Sequence, residues 1–258
     1  MISEFECDPV VTVLLRTLRR VVKYPLVILL LAIGLFITLA MFPVMSMRVR
    51  GGIASLWHCS LLLVLRVRVI PEERVLWRDC RFLVGNHVSW LDIPVLSSMG
   101  AVRFLSKSEV RSWPVIGFLS RMTGTVFIKR SSRSALRDVN REIGLIVQAG
   151  GSVFVFPEGT TTRGADTQPF HASVFQAAID SHVNVNPVLI QYLDLSGAVT
   201  QLAAYVDDMN LLTSLDHIIC SSGLQVRLVV FDSLGFQNQS RQQLAERSRD
   251  LIQSGLTQ

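Results

Sequence analysis

Charge is scarce in this chain. Of its 258 residues only 17% are charged, 50% are hydrophobic, and the mean hydropathy is +0.42. An ordinary soluble domain carries about 25% charged residues. The shortage excludes a disordered chain, a collagen-like chain and an average soluble domain. Cysteine is also sparse. Cys7, Cys59, Cys80 and Cys220 are widely scattered and form no C-x-x-C pair, which argues against a zinc site or a disulfide framework and for a reduced compartment. No G-x-S-x-G elbow, no G-x-x-x-x-G-K-[ST] loop and no G-x-G-x-x-G turn occurs, and no histidines cluster at metal spacing. Serine hydrolases, nucleotide hydrolases and dinucleotide enzymes lose support accordingly. There is no internal repeat or low-complexity tract. Asn238-Gln239-Ser240 matches a glycosylation acceptor, which a reduced compartment discounts.

What is present begins with an apolar segment. Residues 24–47 hold no charge, and 25–45 read PLVILLLAIGLFITLAMFPVM. That length crosses about 30 Å of hydrocarbon. Arg16, Arg19, Arg20 and Lys23 precede it, and Arg48 and Arg50 follow it. A second, shorter apolar run covers 53–65. A cleaved signal peptide is disfavoured, because the run is too long and lacks a small-residue cleavage site. A full hairpin would carry Arg48 and Arg50 across the bilayer. Two readings stay open: a single span, or a helical pair lying in one leaflet with Trp57 and the arginines at headgroup level. Either divides the chain into a membrane-anchoring segment, 1–65, and a second unit, 66–258. The net charge of +5 suits nucleic acid, anionic lipid or a phosphorylated ligand, and composition does not separate them.

Beyond residue 66 short β-branched runs alternate with helical patterns. Strands are predicted over 66–70, 81–85, 102–105, 126–128, 152–156, 185–192 and 224–231. Helices are predicted over 90–99, 110–122, 135–148 and 174–180, with an amphipathic tail at 241–252. Ser132 or Ser134 would cap the third helix, and residues 197–222 are ambiguous. The alternation predicts an α/β fold with a largely parallel sheet flanked by helices.

Four blocks stand out. Asn86-His87-Val88-Ser89-Trp90-Leu91-Asp92 follows a predicted strand. On one continuous helix His87 and Asp92 would point about 140° apart. They meet if His87 sits in the turn and Ser89 caps the helix that Asp92 enters, leaving one imidazole nitrogen free as a base. A capping box beside an ordinary loop histidine explains the same residues. Phe156-Pro157-Glu158-Gly159-Thr160 ends another strand, where open α/β sheets bind ligands; a plain turn with a solvated Glu158 is the alternative. Lys107-Ser108-Glu109, Trp113-Pro114, Gly117 and 124–130 put Lys107, Lys129 and Arg130 near strand ends, as phosphate holders or as solvated charge. Asn186-Pro187-Val188 marks a strand start.

In this order the blocks resemble the glycerolipid acyltransferase family, typified by 1-acylglycerol-3-phosphate acyltransferases. Asn86–Asp92 matches N-H-x-x-x-x-D, 124–130 matches G-x-x-F-I-x-R, 156–160 matches F-P-E-G-T, and 185–188 matches the proline-centred strand. Lys107, Glu109, Pro114 and Gly117 fit the stretch between. The resemblance spans about 81–190 and implies a membrane enzyme without a cofactor or metal. It implies that His87 is the base and Asp92 its orienting carboxylate, with backbone N–H groups near Ser89 holding the oxyanion. Asn86, Ser89, Lys107, Arg130, Glu158, Gly159, Thr160 and Arg163 would contact substrates. The implied partners are membrane lipid, acyl-CoA or acyl carrier protein as donor, and a lysolipid acceptor, with no nucleic acid. The implied place is the cytoplasmic face of the inner membrane. In the resemblance, many members acting on glycerol phosphate continue E-G-T with Arg, but Thr161 stands here and Arg163 follows two residues later. The first acceptor expected is 1-acyl-sn-glycerol-3-phosphate, giving phosphatidic acid. Lyso-ornithine lipid is the alternative, and a non-catalytic lipid-binding protein is a remoter one. A thioester hydrolase would use the same base with water.

Overall fold

The computed structural model describes residues 9–72, 80–128 and 133–257. Seven strands form one sheet: β1 Val67–Pro71, β2 Phe82–Gly85, β3 Arg103–Lys107, β4 Val126–Ile128, β5 Val153–Val155, β6 Val185–Leu193 and β7 Leu224–Val230. Their order is β1-β7-β6-β2-β5-β3-β4. All neighbours are parallel except β6 and β7. The predicted fold class is the observed one. β2 and β5 sit between helical layers, and their residues are buried on both faces, which is why they read as continuous apolar runs rather than alternating ones.

Eight helices accompany the sheet among the described residues: α1 Pro9–Ala40, α2 Met47–Leu65, α3 Asp92–Ser98, α4 Ile116–Met122, α5 Arg133–Gln148, α6 Gln176–Asp180, α7 Leu211–Cys220 and α8 Arg241–Leu256. Leu61, Leu65, Leu91, Val95, Ile218 and Ile219 bring α2, α3 and α7 onto one face. Val139, Ile143, Ile146, Ala177 and Leu244 bring α5, α6 and α8 onto the other. α8 is more buried than a surface tail: Leu244, Ala245, Ser248 and Ile252 turn inward, and Ser240 with Gln243 closes a capping box. The ambiguous stretch contains α7, capped by Asn210.

The predicted helix over 110–122 is broken. A 3-10 turn at Ser108–Ser112 precedes Pro114, and α4 starts two residues later. Pro114 lacks an N–H and disfavours helix in the residue before it. Gly117 then passes so close to the Val110 and Arg111 carbonyls that a β-carbon would collide with both. The candidate caps of α5 and the cations Lys129 and Arg130 are not settled: Lys129, Arg130 and Ser132 lie outside the described residues, as does the side chain of Ser134.

α1 does not stand apart from the sheet. Lys23 Nζ donates to the Leu65 carbonyl at 3.4 Å and to the Ile219 carbonyl at 3.1 Å. Arg19 donates to Cys220 O at 2.6 Å, and Arg20 forks onto Asp216 at 2.6 and 2.9 Å. Lys23 and Arg19 complete the C-terminal ends of α2 and α7, where carbonyls lack partners. Trp57 Nε1 donates to Leu30 O at 2.7 Å, and its ring packs against Gly34. The opposite face of α1 stays apolar and exposed at Leu14, Leu18, Val21, Ile28, Phe36 and Leu39.

Candidate active site

β2 and β5 are neighbours whose continuations leave to opposite faces, toward α3 and α6. Their carboxyl ends open the crevice that such a switch creates. Asn86 decides how the chain leaves β2. Its side-chain amide donates to Ile190 O and accepts from Ile190 N, both at 2.8 Å. An amide side chain has the donor and acceptor of a peptide, so it prolongs the β2–β6 pairing and lets the backbone turn outward. Asn86 is buried, and both ends of its amide are engaged by the backbone of Ile190.

The turn brings His87 onto Asp92, with Nδ1 2.7 Å from Oδ2. The same oxygen accepts the backbone N–H groups of Val88 at 2.8 Å and Ser89 at 3.0 Å. Oδ1 accepts from Tyr192 Oη at 2.7 Å. Asp92 has no exposed surface, so these donors replace its water. Burial, then the charge of Asp92, pushes the Tyr192 hydroxyl well above its usual range, keeping it a donor. With Nδ1 held, Nε2 is the nitrogen left to the cleft. The ring lies on Phe156, centroids 3.9 Å apart and planes 16° from parallel.

Ser89 does not cap α3. Leu91 occupies that position without a side-chain bond, while Ser89 Oγ accepts from Leu91 N at 3.2 Å and is fully buried. The Val88 and Ser89 amides, expected at the oxyanion, are spent on Asp92. The carboxylate has taken over the donors that a serine cap would have claimed.

Glu158 is buried too. Oε1 accepts from His87 N at 2.8 Å and Oε2 from Gln168 N at 2.9 Å. Burial raises its carboxyl above the ordinary range, and the two N–H bonds hold it down in part. It ties the loop after β5 to the backbone of His87 rather than facing the cleft. Gly159, at φ 70°, makes the turn that permits this. The Thr162 amide adds a bond to His87 O at 2.8 Å, and Thr161 Oγ1 donates to Tyr205 O. Arg163 points away, paired at 2.7 Å with exposed Asp207. The expected phosphate role of Arg163 does not match that placement. Arg130 lies outside the described residues.

His87, Lys107, Gly159, Thr160 and Thr161 line a cleft of about 1640 Å³ that runs between the sheet and the α1–α2 pair. Apolar side chains such as Val27, Leu31, Phe42, Ile53, Leu61 and Ile93 make much of its wall. Tyr192 is the site residue missing from the sequence reading. It lies a hundred positions from Asp92, and only the adjacency of β6 to β2 reveals it.

Residues 66–191 match the family model described as Acyltransferase. A lyso-ornithine lipid O-acyltransferase of Pseudomonas aeruginosa is 33% identical over 186 residues, 72% of this chain and 69% of that protein. The chain belongs to this acyltransferase family. A similar protein named lyso-ornithine lipid O-acyltransferase from Rhizobium meliloti is 34% identical over 74% of this chain and 71% of its own length. A 1-acyl-sn-glycerol-3-phosphate acyltransferase of Neisseria meningitidis is 39% identical over 57% of each chain. In structure the chain resembles the 1-acyl-sn-glycerophosphate acyltransferase PlsC of Thermotoga maritima, with a TM-score of 0.68 over 95% of this chain and 96% of that one, at 20% identity. That likeness speaks to the fold. The acyltransferase is an enzyme of the lysophospholipid type, and its apolar N-terminal helix accords with membrane association.

Proposed function

We propose that this acyltransferase moves a fatty acyl group from acyl-CoA or acyl-acyl carrier protein to the free hydroxyl of a lysolipid. The carrying observation is the His87–Asp92 contact at 2.7 Å at the mouth of an apolar cleft. His87 Nε2 takes the proton as the acceptor oxygen attacks the thioester carbonyl. Asp92 holds the Nδ1–H tautomer and offsets the imidazolium charge. The C–S bond breaks as the tetrahedral intermediate collapses, and the leaving sulfur recovers the proton from His87. Asn86, Ser89 and Glu158 act as positioning residues. Lys107, Gly159 and Thr160 border the acceptor, with Arg130 as a further cation for its headgroup.

Thr161 and Arg163 favour lyso-ornithine lipid as acceptor over 1-acyl-sn-glycerol-3-phosphate. The first is tied to Tyr205 and the second to Asp207, so neither turns a cation toward a phosphate beside Gly159. The docking of α1 along the domain supports the monotopic arrangement, with the helical pair in one leaflet of the inner membrane and the site facing the cytoplasm.

The test is purified protein in vesicles, a labelled acyl donor and a panel of lysolipids. Wild type forms a diacylated product, and His87→Ala slows this roughly 10²–10⁴-fold while still binding vesicles. Release of free fatty acid without a lipid product, or undiminished turnover by His87→Ala, would refute the reading.

A further inference from the structure

The walls of the cleft set how an amphiphile lies in it. Val27 and Leu31 of α1 and Ile53 and Leu61 of α2 offer an apolar side for a chain. His87 has to meet the reacting hydroxyl. The acceptor's headgroup then falls on the polar side, where Gly159, Thr160 and Thr161 line the cleft and the Thr162 amide ties their loop to His87 O at 2.8 Å. Tyr205 lines the cleft as well, and no step derived above uses it. It belongs to the stretch between β6 and α7, past the matched residues 66–191, so it lies outside the blocks that carry the common chemistry.

The backbone of Tyr205 is fastened to both loops of the site. Its N–H donates to Val88 O at 2.9 Å, one residue from His87, and its carbonyl accepts from Thr161 Oγ1, one residue from Thr160. Ala203 and Ala204 just before it are buried, while Asp207 and Asp208 just after it are exposed. The chain therefore passes Tyr205 on its way from the core to the rim, and the half-buried side chain lines the cleft there. Among the described residues the phenol hydroxyl has no hydrogen-bond partner, and it is not sealed from solvent. A clamped backbone that carries an unengaged hydroxyl is a preorganised contact: the donor is in place before a ligand arrives, so little ordering is left to oppose binding. Arg163 is held by Asp207 at 2.7 Å, which leaves this neutral donor beside the Gly159–Thr161 turn.

We propose that Tyr205 is a specificity-determining residue whose hydroxyl donates to an anionic oxygen of the acceptor's headgroup. A phenol O–H can donate one such bond, to a carboxylate or to a phosphate oxygen. An acceptor without an anionic oxygen leaves the hydroxyl to water and gains nothing from it. The contact lies at the headgroup and not at the thioester, so it acts on acceptor affinity and leaves the rate of the bound complex alone. The proposal rests on the lysolipid-acceptor reading above.

Tyr205→Phe removes the hydroxyl and keeps both backbone bonds, so it isolates the contact from the fastening. The full-length protein is assayed in phosphatidylcholine vesicles with a single acyl donor. Its acceptors have equal chain length: lyso-ornithine lipid with a carboxylate, 1-acyl-sn-glycerol-3-phosphate with a phosphate, and a monoacylglycerol with neither. On a charged acceptor Tyr205→Phe raises KM about three- to tenfold, the scale of one hydrogen bond, and it moves kcat, the donor KM and the monoacylglycerol KM by less than about twofold. The charged acceptor that shows the rise tells carboxylate from phosphate. A fall in kcat, an equal rise in KM on the monoacylglycerol, or no rise on either charged acceptor overturns the proposal. A readout independent of turnover uses titration calorimetry on the His87→Ala protein. Adding Tyr205→Phe weakens binding of a charged lysolipid by the same factor and spares the monoacylglycerol; unchanged affinity for both charged lysolipids overturns the contact. A wild-type protein that acylates no lysolipid instead defeats the acyltransfer reading, and the titration still decides the role of Tyr205.

Discussion

Asp92 shows what one buried carboxylate needs. Three donors converge on Oδ2, and Tyr192 alone among the described residues serves Oδ1. Removing that hydroxyl leaves an ionised oxygen without a partner in a site closed to water, and buried hydrogen bonds to charged groups are the stronger class. Tyr192→Phe is expected to lower kcat about tenfold with little change in KM. In an Asp92→Asn background the same substitution should have almost no further effect, because the group it positions has lost its charge. A double-mutant cycle on kcat checks this. Equal losses in both backgrounds would mean that Tyr192 matters for packing alone. The residue scale also shows where short motifs mislead. Ser89-x-x-Asp92 reads as a capping box, yet the carboxylate turns back to the loop and collects the amides itself. Asn86 and Glu158 read as substrate contacts, and the structure shows both buried and bonded to backbone groups.

At the scale of elements, α1 is joined to the sheet domain by charge at one end and by packing along its length. Lys23 is almost wholly buried on two helix ends, while Arg20 and Tyr24 both donate to Asp216. The Arg20 hydrogen bonds, more than any other contact, pull the Asp216 carboxyl down to about 2. A depressed carboxyl stabilises the folded arrangement above its ordinary range, near 4, and loses that contribution as pH falls through its folded value. Amide exchange in residues 16–24 should therefore quicken between pH 4 and pH 2. Asp216→Asn should quicken it already at neutral pH and remove the acid step. Flat exchange across that window would leave the fastening to Lys23, Arg19 and apolar packing. The arginines before the apolar run are legible as cations from sequence, but not as helix fasteners. Their partners come from α7, about 200 residues on.

For the whole molecule, the outer stripe of α1 and the cleft behind it belong to one arrangement. Leu18, Ile28 and Phe36 are 57%, 63% and 68% exposed, so replacing all three with Ser should spare the fold. Burial of such side chains is worth about 1.5–3 kcal/mol each, which predicts at least a tenfold loss of vesicle binding. Co-sedimentation with liposomes measures it, and unchanged binding would place the membrane contact elsewhere on the surface.

The seven strands, most of the helices and the mostly parallel order follow from local pattern, because strand runs and helical faces repeat over distances shorter than one element. The pairing of His87 with Asp92 follows as well, since five residues and a turn confine both groups to one corner. Tertiary structure alone decided that Tyr192 completes the carboxylate's shell, that Arg163 pairs with Asp207, and that Lys23 closes the ends of α2 and α7. Each of these depends on which distant strands and helices become neighbours. Sequence spacing carries no record of that adjacency; it is set by how the layers bury their apolar faces against one another.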